Sequence, residues 1–355
     1  MKGLILSGGF GTRLRPLTYT SAKQLIPVAN KPIIFYGIES LVNAGIKEIG
    51  VIVGETREEV KNIVGDGSRW KIEIEYIYQP VPLGLAHAIK IAHDFLQDEP
   101  FIMYLGDNIL KEGVNDFIEK FNKVRPDALI LLTPVNNPQE FGVAVVDEKG
   151  IVKKLIEKPK DPPSNLALVG VYLFNKNIFT AIDHIKPSWR NELEITDAIQ
   201  WLLDNDYNVI ADRVKGWWKD TGKPEDIIEA NLLVLEDIEP KNEGTSIDTV
   251  MNGRLVIGPG TKIEKSVIRG PAVIGNNVLI KNAFIGPFTS IGDNAVIENS
   301  EVECSVIMEG AKILNINKRI DRSIIGKNVI INQTNTSPRS HRFYLGDQSF
   351  VELVE

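Results

Sequence analysis

Short apolar runs alternate with longer amphipathic stretches over the first two-thirds of the chain. The runs rich in β-branched and aromatic residues, which predict strands, lie at residues 2–6, 48–54, 72–79, 101–107 and 128–135. Apolar residues at helical spacing predict helices at residues 31–44, 58–64 and 85–95. Such alternation is typical of an α/β fold with a mixed, mostly parallel sheet that is covered by helices on both faces.

From about Thr245 the pattern changes to a repeat. The pairs that mark it are Ile257-Gly258, Ile274-Gly275, Ile291-Gly292, Met308-Glu309 and Ile325-Gly326, each 17 residues after the one before. Within a period an aliphatic residue recurs after six, five and six residues, as a three-sided coil requires. We therefore predict a parallel β-helix, which is left-handed in hexapeptide proteins, because each coil can bury its apolar side only by stacking on a neighbour.

The change of pattern divides the chain into three parts. We predict a domain at residues 1–240, the β-helix at residues 245–335 and a C-terminal tail at residues 336–355. The apolar residues of the tail predict that it caps the last coil or contacts another subunit, so we expect a homo-oligomer.

Composition restricts the classes of function. Forty basic and 47 acidic residues leave a formal charge of −7, which disfavours nucleic acid and anionic membrane as partners. A lone cysteine, Cys304, excludes an intrachain disulfide and a cysteine-ligated zinc cluster. With no signal-peptide pattern and no apolar run near about 18 residues, a cytoplasmic protein is expected.

A glycine-rich segment, SGGFGTRLRPLT, follows the first predicted strand. Gly9 and Gly11 fit the start of a dinucleotide fingerprint, but Leu14 stands where its third glycine belongs, and no GK[ST] follows. Arg13 and Arg15 supply the loop with its own positive charge. The segment therefore indicates a phosphate site that is neither a dinucleotide-binding loop nor a P-loop.

Other polar residues follow predicted strands further along the chain. Gln79 and the pair Asp107-Asn108 come directly after two of them. In open α/β sheets ligands bind outside the carboxyl ends of the strands. We expect these residues and the glycine-rich segment to share one crevice.

Taken together, the motifs resemble the sugar-1-phosphate nucleotidyltransferases. They are the glycine-rich segment, KQLIPVANKP, QPVPLGLAHA, LGDN, FGV, IEKP and WWKDTGKP, in this order. The resemblance is closest to the long form of the glucose-1-phosphate thymidylyltransferases, and it covers essentially the whole chain. It implies a Rossmann-like catalytic fold, a C-terminal left-handed β-helix, and transfer of a nucleotidyl group from dTTP to glucose 1-phosphate with release of pyrophosphate.

The resemblance also implies which residues form the site. For the nucleotide these are Gly8, Gly9, Gly11, Thr12, Arg13, Lys23, Gln79 and Gly84. For the sugar phosphate they are Asn108, Gly142, Glu157 and Lys158, and for Mg²⁺ they are Asp107 and Asp220. Arg13, Lys23 and Lys158 are the catalytic residues in this interpretation.

These roles agree with the chemistry. A phosphate monoester is already mostly dianionic at neutral pH, so no general base is required, and catalysis consists of positioning and charge neutralisation. Backbone N–H groups of the glycine-rich segment would bind the triphosphate, Arg13 would neutralise the leaving pyrophosphate, and Gln79 would contact the pyrimidine. Gly84 would leave room for the base. Because Lys158 precedes Pro159, its backbone is predicted to be extended.

Two departures from the family pattern concern the sugar. Phe141 stands where a tyrosine is common, and Asn191 where the thymidylyltransferases usually have glycine. Thymine and uracil differ by one methyl group, so UTP is an alternative substrate.

Two further alternatives are a non-catalytic regulatory subunit and an acyltransferase in the β-helix. The first would not need the charged residues that this chain retains. The second would need a histidine as general base, and none lies between Thr245 and Asn335.

Overall fold

The structure, a computed structural model, describes residues 1–334 and 341–354. The chain forms two compact units. The first consists of Met1–Phe10, Ser21–Leu25 and Ile33–Asp220, and the second of Gly11–Thr20, Ile26–Pro32 and Thr221–Glu355. The domain boundaries expected at residues 240 and 245 stay predictions. Residue 335, the expected end of the β-helix, and residues 336–340 and 355 of the expected tail lie outside the described residues.

The helices and strands are numbered in chain order. The strands up to Asp220 are β1 Lys2–Ser7, β2 Pro27–Val28, β3 Lys31–Pro32, β4 Glu48–Val53, β5 Glu73–Tyr78, β6 Phe101–Leu105, β7 Asn108–Leu110, β8 Ala128–Pro134, β9 Gly142–Val146, β10 Val152–Glu157, β11 Leu166–Phe174, β12 Val209–Arg213 and β13 Trp218–Asp220. The helices are α1 Ile33–Asn43, α2 Arg57–Val64, α3 Leu85–Ile91, α4 His93–Leu96, α5 Asn115–Val124, α6 Asn177–His184, α7 Ile195–Asp204 and α8 Pro224–Leu235. Among the described residues, none of the helices has the length and apolar character needed to cross a membrane.

A nine-stranded mixed sheet forms the centre of the first unit. Its strands run in the order β10-β9-β11-β6-β1-β4-β5, with β8 beside β11 and β12 beside β8. The part from β6 to β5 is parallel, and β11 joins it in antiparallel orientation. The predicted α/β fold with a mixed, mostly parallel sheet is thus confirmed.

Both faces of this sheet are buried. Leu4 and Leu6 of β1 belong to one apolar cluster with α3, α6 and α7, whereas Ile5 belongs to a second cluster with α1, α2 and α5. Alternate residues of a strand point to opposite faces, so helices cover the sheet on both sides.

The predicted helix at residues 85–95 is two helices, α3 and α4. They meet at Ala92, whose N–H donates to the carbonyl of Ile89 rather than to one four residues back. Apolar spacing alone does not reveal this tightened turn, because the buried side of the segment continues into Leu96.

The repeat folds into stacked coils in the second unit. The strands that form them are β14 Lys241–Asn242, β15 Thr245–Ile247, β16 Val250–Asn252, β17 Leu255–Ile257, β18 Lys262–Glu264, β19 Val267–Arg269, β20 Ala272–Ile274, β21 Leu279–Lys281, β22 Phe284–Ile285, β23 Thr289–Ile291, β24 Val296–Glu298, β25 Glu301–Glu303, β26 Val306–Ile307, β27 Lys312–Leu314, β28 Ile320–Asp321, β29 Ile324–Ile325 and β30 Ile330–Asn332. They make three parallel sheets, in which each strand pairs with the strand that comes three places later in the chain. Ile263, Ile268 and Ile274 point into one apolar core. This is the pattern of the predicted left-handed parallel β-helix.

The spacing of the repeat is irregular in its later coils. Ile291 pairs with Ile307, and Ile307 pairs with Ile325. The 17-residue repeat predicts Met308 at the inward position that Ile307 occupies. The predicted register is therefore wrong by one residue there. The coil is one residue shorter at the corner before β26, and extra residues before β28 restore the spacing.

Asparagine side chains connect successive coils at one corner. Asn282 donates to Asn299 at 2.8 Å, Asn299 to Asn315 at 2.7 Å and Asn315 to Asn332 at 3.3 Å. The first three have positive φ angles between 47° and 57°, a conformation that asparagine tolerates better than most residues. The corner residues therefore stabilise both the turn and the stack.

The coils also bind two segments from elsewhere in the second unit. Asn30 donates its side-chain amide to the carbonyl of Ile291 at 2.6 Å, and Asn231 of α8 donates to the carbonyl of Phe288 at 3.1 Å. The Asn231 side-chain oxygen accepts from the Ala29 N–H at 2.8 Å. These bonds hold α8 and residues 26–32 on the β-helix.

The described part of the tail, residues 341–354, contains no helix or strand. Its apolar side chains are exposed: Phe343, Tyr344, Leu345, Phe350, Val351, Leu353 and Val354. Against the described residues of the chain, therefore, these side chains do not form a buried cap.

Candidate active site

Two aspartates that are distant in sequence share one partner in the first unit. Asp107 follows β6, and the antiparallel pairing of β7 with β13 places Asp220 opposite Asn108. The side-chain nitrogen of Asn108 donates to Asp107 Oδ1 at 3.0 Å and to Asp220 Oδ1 at 3.3 Å. The expected proximity of Asp107 and Asp220 is thus a direct result of strand pairing.

The amide of Asn108 is fixed on its oxygen side as well. Its Oδ1 accepts from Trp218 Nε1 at 2.6 Å and from the Gly170 N–H at 3.3 Å. A Cβ atom on Gly170 would lie 2.6 Å from this oxygen, so only glycine fits there. An amide has two N–H donors and two acceptor positions, and all four of Asn108 are used within the protein. The sugar contact predicted for Asn108 stays a prediction, and the structure gives this side chain the task of orienting the carboxylates.

Lys23 neutralises one of the two carboxylates. It begins a 3₁₀ turn, Lys23–Leu25, and its Nζ forms an ion pair with Asp107 Oδ2, both side chains being largely buried. Burial opposes ionisation of Asp107, but the charge of Lys23 and the hydrogen bonds from Lys23 and Asn108 outweigh it, so the pKa of Asp107 lies below its ordinary value. Lys23 Cε also lies 4.0 Å from the position that a Cβ of Gly9 would occupy. The predicted phosphate lysine therefore lies beside the glycine-rich segment and beside Asp107, one of the two predicted metal ligands.

The two carboxylates suit Mg²⁺. Their oxygens are the hard ligands that this ion prefers, and Mg²⁺ bound to substrate phosphates needs only one or two carboxylates. Within residues 1–334 and 341–354 no group of three or more His, Cys, Asp or Glu residues could hold a metal by itself. The arrangement therefore fits an ion that takes its other ligands from phosphate and water.

The glycine-rich segment begins in the first unit. A Cβ on Gly8 would lie 2.9 Å from Gln79 Oε1, and a Cβ on Gly54 would lie 2.8 Å from the Gly8 carbonyl oxygen. The backbone at Gly8 is therefore closely packed between two neighbouring loops. Gln79 is buried, and its Nε2 lies 2.9 Å from His87 Nδ1.

The rest of the segment belongs to the second unit. Gly11 has a φ of 61° and precedes a 3₁₀ turn, Thr12–Leu14, in which the Leu14 N–H donates to the Gly11 carbonyl at 2.9 Å. Thr18 donates its hydroxyl to the same carbonyl at 2.7 Å. Leu14 is buried and Arg13 is exposed. The turn thus presents the Arg13 side chain to solvent, and the buried side chain of Leu14 anchors the turn.

Gly84 is explained by backbone packing. Its φ is 103°, and a Cβ would collide with the carbonyl oxygen and nitrogen of Leu193. The Leu193 N–H donates to the Leu83 carbonyl at 2.7 Å, and the Ala86 N–H donates to the Leu193 carbonyl at 3.1 Å. Room for a base at Gly84 stays a prediction, and the glycine is needed for this close approach in any case.

Apart from Asn108, the predicted sugar residues lie at the paired ends of β9 and β10, where Gly142 is opposite Glu157. Thr196 donates to Glu157 Oε2 at 3.2 Å, and a Cβ on Gly142 would lie 2.7 Å from Thr196 Cγ2. Burial and the neighbouring Glu194 raise the pKa of Glu157, against the opposing charges of Lys158 and Arg190. Glycine at 142 therefore leaves the Glu157 carboxyl its space.

The backbone predicted for Lys158 is wrong. Its φ is 38°, in the left-handed region, although a proline follows it. The Lys158 N–H donates to the Phe141 carbonyl at 3.1 Å. This bond across the two strand ends overrides the local preference for an extended conformation before proline.

The family description nucleotidyl transferase matches residues 2–237. The chain belongs to the nucleotidyl transferase family. It is 51% identical over 355 residues to the glucose-1-phosphate thymidylyltransferase of Streptomyces antibioticus, covering 99% of both chains. It is 58% identical over 257 residues to a low-salt glycan biosynthesis nucleotidyltransferase of Haloferax volcanii, covering 72% of both chains. Among solved structures, one named for a glucose-1-phosphate thymidylyltransferase, from Bacillus anthracis with sucrose, superimposes with a TM-score of 0.64 at 34% identity and covers 68% of this chain and 98% of its own.

One positively charged residue near the predicted sugar residues, Arg190, was not predicted from the sequence of this nucleotidyl transferase. Arg190 lies in the segment before α7, and its guanidinium is 3.5 Å from Glu157, 3.4 Å from Glu194 and 3.0 Å from Glu192. The signal was present, because RNELE places an arginine two and four residues before glutamates. Arg190 therefore joins the candidate sugar residues.

The two departures from the family pattern also have structural explanations. Asn191 has a φ of 59°, a left-handed conformation that glycine adopts freely and asparagine tolerates better than most residues. Phe141 packs edge-on against Trp218 at 5.5 Å, so its ring supports the residue that holds Asn108.

Proposed function

We propose that this nucleotidyl transferase transfers the nucleotidyl group of dTTP to α-D-glucose 1-phosphate, giving dTDP-glucose and pyrophosphate. The observation that carries the proposal is the carboxylate pair, Asp107 and Asp220, joined through Asn108 and contacted by Lys23. Such a group of charges can bind a metal triphosphate and needs no general base. The activated sugar would serve the synthesis of dTDP-rhamnose or a related sugar.

Mg²⁺ is the proposed ion, held by Asp107 and Asp220, and it would supply positive charge to the oxygens of the triphosphate. Lys23, freed from part of its pairing with Asp107, would donate to a phosphate oxygen. Arg13 in its exposed turn would neutralise the leaving pyrophosphate with a two-pronged contact. The backbone N–H groups of Gly8, Gly9, Gly11 and Thr12 would contribute to the same neutralisation.

Lys158 is proposed to position the phosphate of the attacking sugar. Glu157 would accept hydrogen bonds from sugar hydroxyls, and Arg190 would hold Glu157 in place. Gly142 keeps the space beside Glu157 open, and Asn108 lies next to the metal ligands. Because substrate oxygen and phosphorus must approach in line, the placement of both phosphates decides the rate.

The proposal includes a division of the chain into three parts. Residues 1–240 would be the catalytic domain, residues 245–335 a supporting β-helix and residues 336–355 a tail. The exposed apolar side chains of the tail support a homo-oligomer in which they are covered. A cytoplasmic location follows from the soluble phosphorylated substrates.

Pyrophosphate release tests the function. The purified protein is incubated with Mg²⁺, one of dTTP, UTP, ATP or GTP, and the 1-phosphate of glucose, galactose or N-acetylglucosamine. We expect the highest rate with dTTP and glucose 1-phosphate. A higher rate with UTP would support the alternative, a uridylyltransferase of the same family. No release with any pair would contradict the proposed function and favour a non-catalytic subunit.

A further inference from the structure

The side chain proposed to contact the base is held by a histidine of the next helix. Gln79 follows β5, and its Nε2 lies 2.9 Å from Nδ1 of His87 in α3. The other end of the amide, Oε1, lies against Gly8. Gln79 is buried, so its amide cannot turn freely into solvent.

For Gln79 Nε2 to donate to the facing His87 Nδ1, the His87 ring must be neutral and carry its proton on Nε2. Burial and the nearby charge of Lys90 lower the pKa of His87, which favours the uncharged imidazole. A neutral ring with its proton on Nε2 presents a lone pair at Nδ1. Gln79 must then point its NH₂ group, and not its oxygen, at His87.

The orientation of an amide decides which base edge it can match. Thymine and uracil carry an N–H at N3 between two carbonyl oxygens, whereas cytosine carries a lone pair at N3 beside an amino group. Rotating the Gln79 amide by half a turn exchanges its donor and its acceptor and so exchanges the base that it matches. A fixed amide therefore selects one class of pyrimidine.

We propose that His87 is a positioning residue that fixes the Gln79 amide and so makes the enzyme select a pyrimidine with an N3–H over cytosine. The proposal rests on the proposed function, in which Gln79 contacts the base. His87 itself acts through Gln79. Loss of the acceptor at position 87 would leave the amide free to adopt either orientation.

The test compares dTTP with dCTP as substrates, with glucose 1-phosphate and Mg²⁺, by pyrophosphate release. His87→Leu removes the acceptor, and His87→Gln replaces it with an amide oxygen. We expect His87→Leu to reduce the ratio of kcat/KM for dTTP over dCTP by about tenfold or more. In the wild type the fixed amide leaves the polar groups of cytosine unpaired, whereas a freely rotating amide can turn to pair with them. His87→Gln should keep the ratio of the wild type.

His93→Leu is the matched control. It makes the same change in the following helix, α4, where His93 packs edge-on against Phe179 with the ring centroids 4.6 Å apart. Its ratio should equal that of the wild type. His87→Phe serves as a second variant without an acceptor atom if circular dichroism shows His87→Leu to be misfolded.

The outcomes separate the inference from the function. If His87→Leu and His87→Phe lower kcat/KM for both nucleotides equally and leave their ratio unchanged, His87 is merely structural and the inference is overturned. It is equally overturned if His87→Gln loses the ratio as His87→Leu does. If wild type and His93→Leu release no pyrophosphate from dTTP, the proposed function fails, and the inference fails with it.

Discussion

Replacing Lys23 with methionine removes the cation that pairs with a buried carboxylate. The side chain of Lys23 is 17% exposed and that of Asp107 is 11% exposed, so water screens the pair poorly. Methionine keeps the length of the lysine stem without its charge. Asp107 would then lose the charge of Lys23 and retain the hydrogen bond from Asn108.

The expected cost is large for a single substitution. Removing one partner of a buried ion pair destabilises a protein by about 3–5 kcal/mol, because the other charge remains buried. The hydrogen bond that Asn108 still donates places the expected value for Lys23→Met near the lower limit, about 3 kcal/mol. Removing both charges should cost less, so the double variant with Asp107→Asn should show a coupling energy of about 2 kcal/mol or more.

Urea unfolding followed by tryptophan fluorescence measures these energies in the relevant unit. All five tryptophans, Trp70, Trp189, Trp201, Trp217 and Trp218, lie in the first unit, so their fluorescence reports its unfolding alone. The control is Lys120→Met, whose pair with Asp212 is more than one-third exposed on both sides and should contribute at most about 1 kcal/mol. A coupling energy below about 0.5 kcal/mol for Lys23 and Asp107 would refute the reasoning, because such a value is typical of a solvent-exposed pair.

Three further predictions concern turnover and the β-helix. Asp107→Asn and Asp220→Asn should each nearly abolish pyrophosphate release with an unchanged circular dichroism spectrum, and near-normal rates would show that neither is a metal ligand. Arg13→Ala should mainly lower kcat, whereas Lys158→Ala should also raise KM for the sugar phosphate; identical kinetic signatures would contradict this division. A chain ending at Glu239 should keep some activity but be less stable and of lower oligomeric order, as light scattering can test; full oligomeric order with no turnover would assign the β-helix a direct catalytic part.

Patterns within a few residues sufficed to predict most of the fold. The alternation of strands and helices and the recurrence of isoleucine both reflect local geometry, and both gave the correct architecture. The register at Ile307 could not be predicted, because Met308 is also apolar and the one-residue deletion leaves the hydrophobic pattern intact. The break at Ala92 was hidden for a similar reason.

The charged residues of the candidate site could be predicted from the sequence, but the contacts between them could not. Asp107 and Asp220 were expected to be close, whereas the bridge through Asn108 depends on the pairing of β7 with β13 across more than 100 residues. The conformation of Lys158 depends on a hydrogen bond to Phe141, which local preference before proline cannot foresee. His87 contacts Gln79, and Arg190 contacts Glu157. The sequence alone does not show either pairing.

The stacking of the β-helix gives it an unusual response to mechanical tension. Within the three sheets each coil pairs with the coil before and the coil after, and the asparagine contacts follow the same order. A pull on the C-terminus would load the last coil alone, so coils would detach one at a time, each adding about 55 Å of contour length for about 17 residues. The force-extension curve would then have evenly spaced steps, and the shortened coil at Ile307 would make one of them measurably smaller.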